Sequence, residues 1–173
     1  MARNYLAWFL DTAFVRTIAS FAIAFVLGTL IGAERQWRQR TAGLRTNVLV
    51  AVGAAAFTDL GTRLLGAEGS TRIISYIVSG IGFLGAGVIL KEGTQIRGLN
   101  TAATLWCSAA VGAFAGAALW AEAIALSFFV VYALSTLTES IAVVYNDMRW
   151  VIFVALAVKL FLPDPSPERA VRS

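Results

Sequence analysis

The chain has 173 residues, of which 58% are hydrophobic and only 14% charged, with a net charge of +4 and no histidine. A soluble domain usually carries roughly 25% charged residues, and the apolar residues here run in long unbroken blocks, so composition excludes a water-soluble globule and favours an integral membrane protein. The missing histidine removes the usual general base and the commonest transition-metal ligand, and the lone Cys107 rules out an intrachain disulfide.

Residues 1–16 form a short mixed segment whose Tyr5 and Trp8 suit a membrane interface. It is not expected to act as a cleavable signal peptide, because the apolar run that follows ends in glycines and a strongly charged loop instead of a small-residue cleavage site. Thr17–Ala33 is the first expected span, seventeen uncharged residues carrying Gly28-x-x-x-Gly32, a spacing that lets helices approach closely. Glu34–Arg45 follows as the most basic loop, with Arg35, Arg38, Arg40 and Arg45 against one acid. Such a loop is expected on the cytoplasmic side.

The second span is expected over 46–65, with Asp59 about 21 Å along the helix from Arg45. An intramembrane acid is by default a functional site. Arg63 lies four residues on, the favourable order for an acid–base pair, so a structural ion pair is the preferred reading. Gly66–Arg72 reads as an outer loop and 73–90 as the third span. Lys91–Arg97 returns to the basic side, and two tightly linked spans follow at about 99–118 and 122–137. After Leu137 the pattern stays open. Residues 150–162 are apolar apart from Lys159 and short for a span, reading as an interfacial helix, a tilted sixth span or part of a longer module. Pro163, Pro165 and Pro167 then introduce a tail expected to be disordered. Segment 138–173 is thus set apart from the 17–137 domain.

The expected fold is therefore an all-α polytopic bundle of five transmembrane spans, with the N-terminus outside and residue 138 cytoplasmic. Gly43-Leu44-Arg45-Thr46 before span two is echoed 55 residues later by Gly98-Leu99-Asn100-Thr101 before span four. The echo admits a parallel two-span repeat, or simply the recurrence of small residues in a packed bundle. A repeat would set two helix N-termini side by side, where free N–H groups and Arg45, Arg97, Arg38 or Arg40 could hold an anion. Alternatively those arginines only fix topology and touch lipid phosphates.

Within the third span, Gly80-x-Gly82-x-x-Gly85 copies a dinucleotide-binding spacing, with Gly87 beyond it. That fingerprint needs a strand-to-helix turn, whereas these glycines lie inside eighteen uncharged residues, Ile73–Leu90. Close helix packing is the preferred role for Gly80, Gly82, Gly85 and Gly87.

Four ordered blocks resemble the MgtC/SapB family: Gly32–Arg40, Ala42–Asn47, Ser79–Gly87 and Arg97–Ala110 (RGLNTAATLWCSAA). The resemblance covers about residues 17–135. It implies a bacterial inner-membrane protein with five spans, linked to growth at limiting magnesium and to survival inside macrophages. It also implies a membrane regulator, with F-type ATP synthase as a proposed partner. By resemblance Asn100 and Cys107 fall on functionally important motif positions, and Thr101, Glu34, Arg35, Arg45 and Arg97 lie in the same blocks. Asn100 and Cys107 are two turns apart on nearly one helix face; they could face a partner helix, or be a cap region and a buried small residue. Two departures stand out: Glu68–Arg72 and Ser75-Tyr76 replace an Asp-containing loop and a Gln-bearing helix start. The 36 residues after Leu137 are also too few for the ferredoxin-like C-terminal domain of longer members.

A non-enzymatic regulator is thus expected, without cofactor, metal or nucleic acid. Its partners would be membrane lipids, a membrane protein and, as a further option, a second copy of the chain. The alternative is a magnesium or solute transporter using Asp59, Glu34, Glu92 and Glu122, although these acids lie mostly at span ends on opposite sides.

Overall fold

A computed structural model describes residues 12–92 and 94–136. The expectations for the first eleven residues, for the helix at 150–162 and for the tail lie outside the described residues. The chain divides into two units at Ser135/Thr136. The described helices are joined by one small hairpin: α1 (Thr12–Trp37), α2 (Leu44–Val88), β1 (Leu90–Glu92), β2 (Gln95–Arg97), α3 (Leu99–Gly116) and α4 (Trp120–Thr136). By length and composition α1 and α2 could each cross a membrane. The 18 residues of α3 and 17 of α4 are close to the roughly 20 that a bilayer requires.

A straight helix of 45 residues would extend about 68 Å. Instead α2 doubles back at Gly66, whose φ of 64° and ψ of −145° lie in a region open essentially to glycine alone. Past the turn, the Gly61 and Gly69 backbones meet, so arms 44–65 and 67–88 run antiparallel. The outer loop expected at 66–72 therefore shrinks to one residue, because 67–72 continue the helix. Glu68 and Arg72 pair at 3.2 Å across one turn, and Thr71 and Ser75 satisfy their hydroxyls on carbonyls four residues back. A second difference is the hairpin, in which Leu90 pairs with Arg97 and Glu92 with Gln95. Gly98 closes it at φ 91°, where any Cβ would run into the Val88 carbonyl.

Small residues set the registers. Gly28 and Gly32 of α1 lie against Val48 and Leu44 of the first α2 arm, and Thr17 reaches Asp59, so α1 and this arm are antiparallel. A Cβ at Gly28 would sit 3.0 Å from the Ala51 Cβ, and one at Gly32 only 2.6 Å from the Leu44 Cα. The same arm runs parallel to α3: Asn47 meets Ser108, Ala51 meets Gly112 and Ala55 meets Gly116. Trp120 donates to Ser20 and Arg38 to the Ser135 carbonyl, which lays α4 along α1 in the same direction. The core this builds combines Ala24, Leu27 and Ile31 with Ala51, Ala55, Val111, Ala115, Ala123 and Val130. Alanine and glycine supply what bilayer packing needs, close backbone contact. Large apolar side chains point outward instead, including Leu49, Leu64 and Phe83.

Candidate functional site

The largest buried polar side chain among the described residues is Arg35, in the last turn of α1 just beyond the uncharged run. Its side chain is 2% exposed. Nη2 donates to the Thr41 carbonyl at 2.8 Å and to the Thr101 hydroxyl at 2.6 Å, and the Thr41 and Thr101 hydroxyls lie 3.0 Å apart. Its Nε has no hydrogen-bond partner. A buried guanidinium held by neutral oxygens is costly and persists only where several segments fix it together. Beside it, Glu34 Oε1 meets Arg38 Nε at 2.6 Å, a charge contact rather than a well-aligned hydrogen bond, and Arg38 also reaches the Ser135 carbonyl at 2.7 Å.

One turn into α2, Asn47 is fully buried. Its Nδ2 donates to the Ala42 and Gly43 carbonyls at 2.7 and 2.8 Å, and its Oδ1 accepts from the Ser108 hydroxyl at 2.8 Å. Arg35 and Asn47 thus clamp the loop 38–43 between three helices. Chemically the cluster positions and rigidifies; among the described residues no three His, Cys, Asp or Glu side chains group as metal ligands.

Toward the other end, Asp59 is 7% exposed. It accepts from the Thr17 hydroxyl at 2.8 Å, and that same hydroxyl oxygen accepts from Arg63 Nη1 at 3.2 Å. The expected ion pair is therefore relayed through a hydroxyl from α1, because Asp59 faces inward while Arg63 is exposed. Thr58, fully buried beside Asp59, has an unpartnered hydroxyl.

Of the residues singled out in the sequence, Arg35 and Thr101 come together, with Glu34 adjacent. Arg45, Arg97 and Asn100 lie on the surface. Asn100 does not cap α3: the cap position is Gly98, without a side-chain cap bond, and only the Asn100 carbonyl is engaged, by Thr104. Cys107 is half-buried against the core. The two helix entrances are not level. Packing pairs along α2 and α3 keep an offset of 61 residues (Asn47 with Ser108) against 55 in the sequence echo. That stagger of six residues carries the start of α3 about 9 Å past the start of α2. Their environments differ as well: Thr46 is exposed and Thr101 buried.

Gly28 and Gly32 lie close against the first α2 arm, and Gly85 makes ordinary contact with Ala102 at 3.6 Å. Gly80, Gly82 and Gly87 have open space where a side chain would be, so they serve no packing among the described residues. Sequence reasoning missed Thr41 and Ser108 and treated Asn47 only as part of a motif. The usable signal was an amide one turn inside an apolar helix, which must find partners.

The MgtC family model matches residues 21–142. The chain is 59% identical over 115 residues to "Protein MgtC" of Brucella abortus, covering 66% of this chain and 48% of that protein. It is 54% identical over 123 residues to "Protein MgtC" of Salmonella typhimurium, covering 71% and 53%. An uncharacterised Synechocystis protein is 56% identical over 117 residues, covering 68% and 50%. The chain spans about half the length of these curated relatives. No solved structure gives a significant match.

Proposed function

This chain belongs to the MgtC family of membrane proteins, and from that premise we propose that it is a non-enzymatic regulator of a bacterial inner membrane. It acts by helix contact with a membrane protein, the F-type ATP synthase being the partner implied by the family resemblance, during adaptation to low magnesium and survival inside host cells. In this reading α1, the two arms of α2, α3 and α4 make five crossings with the N-terminus outside, and the Gly43 and Gly98 entrances belong to a parallel two-span repeat.

The observation that carries the partner reading is the outward face around Gly82. A Cβ there would meet nothing within 4 Å, and Ser75, Ser79 and Ala86 lie on the same side of the helix, within about 60° at 3.6 residues per turn. All four are exposed. Small residues at this spacing serve close helix contact, and packing among the described residues leaves them unused. A photocrosslinker placed at Phe83, 83% exposed beside this face, is expected to capture an ATP synthase membrane subunit in native membranes, and Gly82→Leu to abolish that capture. Unchanged ATP synthesis in vesicles carrying the protein, together with no such adduct, would remove the partner from the proposal.

The buried Asp59 beside an unpartnered Thr58 hydroxyl favours one alternative, transport of a small cation. Magnesium flux into proteoliposomes that Asp59→Asn abolishes would establish it in place of regulation.

A further inference from the structure

The two arms of α2 do not close on each other along their outer side. They leave a groove of about 700 Å³, within the size range of small-molecule sites. Arg45 and Leu84 stand at its mouth, Gly53 and Gly80 face each other midway, and Phe57 and Ile73 close the far end. Gly53 and Gly80 have open space where side chains would stand, which is what gives the groove its depth.

Three features together define an occupant. First, the walls are apolar from Leu49 to Phe57, and twelve residues from Arg45 to Phe57 span about 18 Å. That is close to one leaflet of a hydrocarbon core about 30 Å thick. Second, Arg45 is exposed and has no hydrogen-bond or ion-pair partner among the described residues. It stands where the apolar run begins, at headgroup level. Third, α2 starts at this mouth with no side-chain cap at Gly43, so its first N–H groups and its positive dipole end lie beside the Arg45 charge.

We propose that this groove binds one anionic phospholipid, with an acyl chain laid along Leu49–Phe57 and the phosphate held by Arg45 and the uncapped start of α2. The inference rests on the chain being embedded in a bilayer. It does not depend on the regulatory role or on ATP synthase, because the groove does not use the face around Gly82.

Selectivity follows from chemistry. A zwitterionic lipid offers the same chain but brings its own cation to Arg45, while inorganic phosphate offers the charge without the apolar contact. Native mass spectrometry of the full chain, exchanged into micelles holding equal phosphatidylglycerol and phosphatidylcholine, reads the preference directly. One retained phosphatidylglycerol per chain is expected, at least about fivefold over phosphatidylcholine and undisturbed by excess inorganic phosphate. Arg45→Gln, on an exposed side chain, is expected to reduce retention about tenfold, as the loss of one charge-assisted hydrogen bond implies. Gly80→Leu, which fills open space, is expected to exclude both lipids.

Equal retention of the two lipids, or no response to Arg45→Gln, overturns the proposal. So does a lipid-free dimer that Gly80→Leu converts to a monomer, which would make the groove a self-association surface. Alkaline carbonate washing of the source membranes separates the premises. A chain that stays in the membrane yet holds no lipid sinks this inference alone, whereas a chain that washes out sinks the membrane reading with it.

Discussion

Gly112 and Gly82 sit in similar company, each inside an apolar helix with another small residue four positions on. They do opposite work. A Cβ on Gly112 would run into the Ala51 carbonyl, and one on Gly116 into that of Ala55, whereas one on Gly82 would meet nothing. The first pair lets α3 lie backbone to backbone against the first arm of α2. The second arm packs Gly69 and Gly85 but leaves Gly80, Gly82 and Gly87 open among the described residues. A glycine spacing therefore states that close approach is available, and only the register of the neighbouring helix says who uses it.

Substitutions can break this contrast. The largest effect is expected at Gly112→Ala, where a methyl group meets backbone that cannot swing aside. A loss of about 3 kcal/mol, seen as a melting temperature lowered by roughly 10 °C in detergent, is expected, and an unchanged value would refute the α2–α3 register. Asn47→Ala is next on that buried side. It removes the acceptor of the Ser108 hydroxyl and the side-chain donor to the Ala42 and Gly43 carbonyls, the latter keeping only the Asn47 backbone N–H, and should cost about 2 kcal/mol. If the Ser108 contact is the cause, adding Ser108→Ala should cost much less than it does alone.

Thr17→Val, near the other end, removes the hydroxyl between Asp59 and Arg63 and should cost about 1 kcal/mol. A loss as large as that of Asn47→Ala would mean that the relay matters more than its part-exposed setting implies. The smallest effect carries the opposite sign. Gly82→Ala faces open space in a helix, so thermal stability should hold or rise by about 0.5–1 kcal/mol. A fall would mean that the outer face is packed after all.

The rods were legible from the sequence because charges interrupt the apolar runs near where the helices end. Between Val88 and Leu99 the break holds the charged residues Lys91, Glu92 and Arg97, whereas between Gly116 and Trp120 the chain turns at three apolar residues, ahead of the acidic Glu122 that marked the turn in the sequence. The turn at Gly66 was not legible as such. Gly, Ser and Thr between two apolar runs read as a loop, and nothing local says that one glycine makes the turn while its neighbours stay helical. The Arg35 site was half legible. Its basic setting reads as a topology signal, but burial against Thr101 depends on a contact across 66 residues, fixed by how far α3 is shifted along α2. The same shift explains why the Gly43 and Gly98 motifs, so alike in sequence, end in different surroundings.

The turn at Gly66 also bears on how orientation is measured. Proteases and many antibodies grip several residues of extended backbone, and between 44 and 88 only Gly66 departs from helical geometry. Segment 66–72 will therefore resist cleavage even where it meets water. Silence from a protease there reports a missing substrate rather than a side of the membrane. Small water-soluble reagents aimed at single cysteines, as in Glu68→Cys, will report the side correctly because they need only an exposed atom.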